Sequence, residues 1–291
     1  MKNVIDEQFL QQLELFSLSV KDNVAGLFGG NHKSKKFGSS TEFADYREYQ
    51  EGDDITKIDW NLYGKFEKLY LKLYLDERQM QTRIYIDTSG SMSYFHKDEM
   101  AVKIATALSY LSVHDMDRVS VYCIRGNYAE PLFEKVVGRD TYMNHVAQFN
   151  KIKFGGETHL TDAVIHSTVG YGDGRSILIS DFLTNENFTD AIDYLRSKKR
   201  DVICMQVLSP EEMNPQFRGK TIIHDSEDDN HFYKDNISRE VLKAYKKALD
   251  YMTKRLEAYC AAREADYLLV STADEVRNVM LNTMVKRGII R

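Results

Sequence analysis

Asp87, Ser89 and Ser91 stand at alternate positions directly after the apolar run Ile84-Tyr85-Ile86. A strand that ends in Asp-x-Ser-x-Ser sets one carboxylate and two hydroxyls around a common point at the carboxyl edge of an open α/β sheet, where such sheets bind ligands. All three are hard oxygen donors, which select Mg2+, Mn2+ or Ca2+ over zinc; a small donor set that leaves room for water suits Mg2+ best. The same residues also make ordinary turns that cap a following helix. Two further segments favour the metal reading. Gly155-Gly156-Glu157-Thr158 offers a third hydroxyl in Thr158, and the apolar run Ser176-Ile177-Leu178-Ile179 leads through Ser180 to a second acid, Asp181. Glu157 interrupts the glycine pair's approach to Thr158, so Glu157 itself or Thr161 is an alternative donor. Asp87 is expected on a solvent-facing loop.

Positioning these loops requires strands that end at one edge. From residue 83 onward short apolar runs alternate with longer amphipathic stretches, the pattern of an α/β, doubly wound, mostly parallel sheet flanked by helices. Strands are expected at Arg83–Ile86, Val119–Arg125, Ser176–Ile179, Val202–Val207 and Tyr267–Ser271. Helices are expected at Asp98–His114, at Asn187–Lys198, and from Ser238 to about Arg263 with Val241, Tyr245, Leu249, Met252 and Leu256 facing inward. Thr272-Ala-Asp-Glu275 has the form of a capping box for a last helix. Ahead of this region Leu69, Leu71, Leu73 and Leu75 alternate with polar or amphipathic residues as a half-buried strand, placed antiparallel at a sheet edge. The division expected is 1–82, an N-terminal extension packed on the core, and 83–291, the α/β domain.

Composition narrows the function. The chain has 291 residues, a formal net charge of −5 and three cysteines. The charge argues against nucleic-acid binding, which needs clustered Lys and Arg; the one basic cluster, His32 to Lys36, reads as a solvated loop. Cys123, Cys204 and Cys260 have no metal-type spacing and read as buried free thiols of a reducing compartment. No run has the length of a membrane span and nothing reads as a signal peptide, so a cytoplasmic location is expected. No Gly-x-x-x-x-Gly-Lys-Ser/Thr loop occurs, and the acidic run His224–His231 reads as an exposed loop. The segment from Glu42 to Asp59 holds seven carboxylates interleaved with Arg47 and Lys57 and followed by Trp60. It reads as a polar network or an interface, with Tyr46, Arg47, Asp53, Asp54, Asp59 and Trp60 as the partner-binding candidates and Trp60 as a packing anchor.

Taken in order, Asp87-x-Ser89-x-Ser91, Thr158 and Asp181 resemble the metal-ion-dependent adhesion site of von Willebrand A domains. Glu42 to Tyr49, Gly52-Asp53-Asp54, Ile58-Asp59-Trp60, Glu77-Arg78 and Val207 to Glu212 resemble the signature of the bacterial family called domain of unknown function fifty-eight. That resemblance implies a von Willebrand A-like fold, the five metal residues Asp87, Ser89, Ser91, Thr158 and Asp181, and an adaptor or assembly role beside AAA+ ATPases of the MoxR type. The expectation is a metal-dependent protein-binding module, not an enzyme, whose partner completes the metal shell with an acidic side chain. The alternative is a Mg2+-dependent hydrolase of phosphatase type. Against it, Ser89 stands where an aspartyl phosphatase carries a second Asp.

Overall fold

Strands buried on both faces read as near-continuous apolar runs, and such runs form the centre of this molecule in its computed structural model. The structure describes residues 4–27, 43–74, 80–172, 174–184, 187–216, 219–224 and 232–281. The chain divides into two compact units, residues 1–22 with 80–291 and residues 23–79. The division thus falls between 79 and 80, and the first 22 residues belong with the larger unit instead of forming one extension with the signature segment. The basic cluster near residue 33 and the acidic run 225–231 lie outside the described residues.

In chain order the elements are α1 (Glu7–Leu27), β1 (Phe43–Glu48), α2 (Trp60–Phe66), β2 (Tyr70–Tyr74), β3 (Gln81–Asp87), α3 (Lys97–His114), β4 (Arg118–Arg125), β5 (Tyr128–Val136), α4 (Arg139–Met143), α5 (Leu160–His166), β6 (Gly174–Ser180), α6 (Thr189–Ser197), β7 (Asp201–Leu208), α7 (Pro210–Met213), β8 (Gly219–His224), β9 (Phe232–Ile237), α8 (Arg239–Ala262), β10 (Asp266–Ser271) and α9 (Val276–Asn278). Among the described residues the larger unit is built on a six-stranded sheet of order β10-β7-β6-β3-β4-β5. Every pair in it is parallel except β4 with β5. The chain runs from β3 to β4 on one side, then returns to β6 on the other. The carboxyl ends of β3 and β6 therefore form the switch point where a doubly wound sheet opens a crevice. The α/β class expected from the sequence, a mostly parallel sheet flanked by helices, is the one observed.

One rung of the sheet runs Tyr122, Tyr85, Leu178, Cys204, Tyr267 in register across five strands. These side chains join a single buried cluster with Leu160 and Val164 of α5, Ile192 and Leu195 of α6, and Leu256 and Cys260 of α8. The alternate residues, Ile84, Ile86, Val121, Cys123, Ile177 and Ile179, are also buried, on the face that α3 covers. All three cysteines are free and buried. Among the described residues no helix is long and apolar enough to cross a membrane.

Four expectations change. β2 lies in a separate two-stranded ribbon, paired antiparallel with β1 inside the acidic segment, and not at an edge of the main sheet. β5, which the sequence reading does not identify, supplies that edge. The amino-terminal half of α8 is exposed at Val241 and Tyr245, and only Leu249, Leu256 and Cys260 of that helix are buried. Thr272 lies in a turn and α9 begins four residues later with no side-chain cap; Asp274 instead accepts from the Ser271 N–H at 3.0 Å.

At the edge opposite the switch point the Arg200 side chain is buried and donates to the carbonyls of Gln81 and Arg175 and to Ser176 Oγ. A Cβ on Gly174 would meet the Arg200 guanidinium and come within 2.6 Å of the Gln81 carbonyl oxygen. Gly174→Ala is therefore expected to cost about 1–3 kcal/mol, the usual range for overpacking. Gly170→Ala, where a Cβ meets nothing within 4 Å, serves as the control in urea denaturation and is expected to leave stability within about 0.5 kcal/mol. Equal stability of the two variants would contradict the packing described.

Candidate metal centre

Asp87 is the last residue of β3 and is 5% exposed. The solvent-facing loop expected for it is thus replaced by a buried position, because the loops after β3, β6 and the Gly155-Gly156 turn close around it. Gly155 N–H donates to the Thr88 carbonyl at 2.9 Å and Gly90 N–H to the Gly156 carbonyl at 2.8 Å. Gly156 has φ of 80°, a conformation in which a Cβ is strained. On its other side the loop bridges Thr158 to Gly126, and His159 N–H donates to the Gly126 carbonyl. Held from both sides, Thr158 donates through Oγ1 to Asp87 Oδ1 at 2.8 Å.

The other oxygens converge on the same point. Ser89 N–H donates to Asp87 Oδ1 at 2.9 Å, and Ser180 Oγ donates to Asp87 Oδ2 at 2.6 Å. Ser89 Oγ and Ser91 Oγ are 3.0 Å apart. Asp87, Ser89, Ser91, Thr158, Ser180 and Asp181 line one cavity of about 20 Å³, space for a single water-sized sphere. Leu160, Phe182, Leu183 and Phe188 wall its other sides. All five candidate residues are thus brought together. Glu157 stays out, its side chain exposed and near His159, and Thr161 turns away to the Asn187 carbonyl.

Electrostatics mark Asp87 as unbalanced. Among the described residues no lysine, arginine or histidine pairs with it; its partners are two hydroxyls and an N–H. Burial pushes its pKa up, the Asp181 charge adds to this, and the three hydrogen bonds only partly oppose them. Asp181 is differently placed. Its Oδ2 accepts from Lys97 Nζ at 2.8 Å and its Oδ1 from Leu183 N–H at 3.1 Å. Lys97 Nζ also donates to Glu212 Oε1. Glu212 in turn closes a capping box on Ser209 at the start of α7.

Ser180, Lys97 and Glu212 are the site residues that sequence reasoning missed. A signal for Lys97 existed: a lysine at the first turn of a helix opposes the helix dipole and calls for an acidic neighbour. Among the described residues no group of three or more His, Cys, Asp and Glu side chains is placed to hold a metal. Whatever binds here meets two carboxylates and a majority of hydroxyls.

In the smaller unit the partner-binding candidates are engaged locally. Arg47 pairs with Asp53 at 2.7 Å, Asp54 caps the turn at Ile55–Lys57, and Tyr46 and Lys72 both reach Asp59 Oδ2. Asp59 is buried and caps α2. Trp60, expected as a packing anchor, is 63% exposed and meets Tyr63 edge-on.

Comparison with known proteins bears on about three quarters of the chain. The model of the family described as "Protein of unknown function DUF58" matches residues 45–255. An uncharacterized protein of Mycobacterium tuberculosis is 23% identical over 233 residues, 77% of this chain and 73% of that protein. Among solved structures, proximal thread matrix protein 1 from the mussel byssus aligns with a TM-score of 0.40 and 14% identity, over 72% of this chain and 46% of its own. The pilus adhesin SpaC from Lactobacillus rhamnosus GG aligns with a TM-score of 0.43 and 10% identity, over 74% of this chain and 30% of its own. This chain therefore spans less than half the length of either solved structure.

The raised pKa of Asp87 fixes the sign of a pH effect in chelator. A folded pKa above the unfolded value, about 3.9, gives a contribution to stability that is full below that value and is lost as pH rises through the folded pKa. Asp87→Asn, which keeps an acceptor but no charge, is expected to match the wild type near pH 4 and to melt higher than it at pH 7 in EDTA. A variant that melts lower at pH 7 would mean that the carboxylate is stabilising without a cation.

Proposed function

The chain belongs to the DUF58 family, and on that premise we propose that it is a metal-dependent protein-binding module with a divalent cation, Mg2+ in preference to Mn2+ or Ca2+, at the switch point of its sheet. The observation that carries this reading is the buried carboxylate of Asp87, unpaired with any cation among the described residues, facing a cavity of one-ion size lined by hydroxyls. Asp87, Ser89, Ser91 and Thr158 would hold the ion, with Asp181 beside them. The donor spacing suits Mg2+: neighbouring oxygens on an octahedral shell of 2.0–2.1 Å radius lie about 2.9 Å apart, and Ser89 Oγ and Ser91 Oγ are 3.0 Å apart. When bound, the ion supplies an electrophilic point that accepts a carboxylate oxygen from a partner.

The protein's own groups do the rest. The two serines and Thr158 are neutral, so they leave the site's positive field available to an incoming acid. Leu160, Phe182, Leu183 and Phe188 exclude water from one side, which strengthens any ion contact made there. Among the described residues the cavity lining carries no histidine or lysine to serve as a base or to neutralise a phosphoryl group, which supports a binding role over a hydrolytic one. The free, buried cysteines support a reducing, cytoplasmic setting. The family resemblance supports a MoxR-type AAA+ ATPase as the partner, contacted through an acidic side chain, with the exposed Trp60 of the smaller unit as a second contact.

Calorimetry tests the reading. Mg2+ titrated into chelator-stripped protein is expected to bind at one site, with Ser89→Ala weakening it about tenfold, or roughly 1.4 kcal/mol, and Asp87→Asn abolishing it. Capture of a MoxR-type ATPase on the immobilised protein is expected in millimolar Mg2+ and not in EDTA or when the partner's acid is changed to its amide. Equal capture in EDTA would move the binding surface elsewhere, and phosphomonoester turnover lost in Asp87→Asn would favour the hydrolase.

A further inference from the structure

Lys97 is 1% exposed, and a lysine that deep is retained only where its charge is used. Its ammonium sits between Asp181 Oδ2 and Glu212 Oε1, so it reaches from the first turn of α3 to the loop after β6 and to α7. The Asp181 backbone is fixed as well. Its carbonyl accepts from Gln206 Nε2 at 2.8 Å, and Gln206 Oε1 accepts from Tyr267 Oη at 2.7 Å. With the backbone held by Gln206 and one carboxylate oxygen by the Leu183 N–H, the remaining oxygen of Asp181 is taken by Lys97 and not by the cavity. The difference from Asp87 is plain: both acids line the cavity, but one is neutralised by a protein cation and, among the described residues, the other is not. Ionised together, Asp87, Asp181 and Glu212 against Lys97 leave two negative charges, which matches a dication.

We propose that Lys97 is a positioning residue that withholds Asp181 from direct metal coordination, so that the bound ion keeps an exchangeable position for a partner, and that Glu212 sets the strength of this hold. The inference rests on the metal reading of the site. Without Lys97, Asp181 is a second acid free to enter the coordination shell, giving a tighter ion with fewer exchangeable waters. Without Glu212, the ammonium belongs to Asp181 alone and the site loses one negative charge, giving a weaker ion with the same hydration. The arrangement trades affinity for an open position.

The experiment uses Mn2+ as the probe, with affinity read from the free-ion electron paramagnetic resonance signal and inner-sphere hydration from water-proton relaxation. Lys97→Met is expected to bind Mn2+ at least tenfold more tightly and to lose about one exchanging water; Lys97→Arg is expected to behave as wild type. Because Lys97→Met leaves the buried Asp181 and the partly buried Glu212 without their cation, the double variant Lys97→Met/Glu212→Gln is measured beside it and is expected to lose the same water. Glu212→Gln alone, which keeps the ammonium on Asp181, is expected to weaken Mn2+ at least threefold with hydration unchanged. Unchanged hydration in folded Lys97→Met and in the double variant, or unchanged affinity in Glu212→Gln, overturns the proposal while leaving the metal site standing. A wild-type protein that takes up no Mn2+ overturns both.

Discussion

A carboxylate at the end of a buried strand, with hydroxyls and an N–H for partners and, among the described residues, no paired cation, is the constraint around which the sheet edge is arranged. Burying an ionised group is costly unless it is paired, and among the described residues no cation pairs with Asp87. The fold neutralises the neighbouring acid, Asp181, through Lys97 and leaves Asp87 to hydrogen bonds that only partly offset its burial. That asymmetry separates this site from a structural ion-pair network, in which each acid would have its own base.

Each feature of the sheet edge serves that placement. The order β10-β7-β6-β3-β4-β5 puts the ends of β3 and β6 side by side where the chain reverses direction, so Asp87, Ser180 and Asp181 meet without any long excursion. The Gly155-Gly156 turn is tied to the loop after β3 by two backbone hydrogen bonds and to the β4–β5 connection by the Gly126 bridge. Non-glycine residues hold left-handed backbone nearby, with φ of 52° at Phe95, 62° at His96 and 52° at Phe182. Local strain of this kind persists where surrounding packing over-determines it, and it concentrates at working sites.

The central strands were legible because parallel strands buried on both faces must be apolar throughout, as Ile84-Tyr85-Ile86 and Ser176 to Ile179 are. β5 was not, because it is an antiparallel edge strand interrupted by Pro131, Glu130 and Glu134, and an edge tolerates proline where a central strand does not. β1 was hidden inside an acidic segment whose carboxylates turn out to cap local turns and to pair with Arg47 and Lys72. The five residues that converge on the cavity, Asp87, Ser89, Ser91, Thr158 and Asp181, were legible from type and spacing. Lys97 and Glu212 were not, since they lie 84 and 31 residues from Asp181 in the chain and only tertiary packing brings them together. Trp60 misled because a lone tryptophan is usually buried, whereas here it stands out from a short helix.

The central claim is a single cation held by Asp87, Ser89, Ser91 and Thr158, and diffraction near the manganese absorption edge addresses it most directly. Crystals grown with MnCl2 are predicted to show one anomalous peak in the cavity, within coordination distance of the Asp87 carboxylate and the Ser89 and Ser91 hydroxyls, with Lys97 still on Asp181. A map with no peak at that cavity while manganese occupies other surface carboxylates would contradict the account.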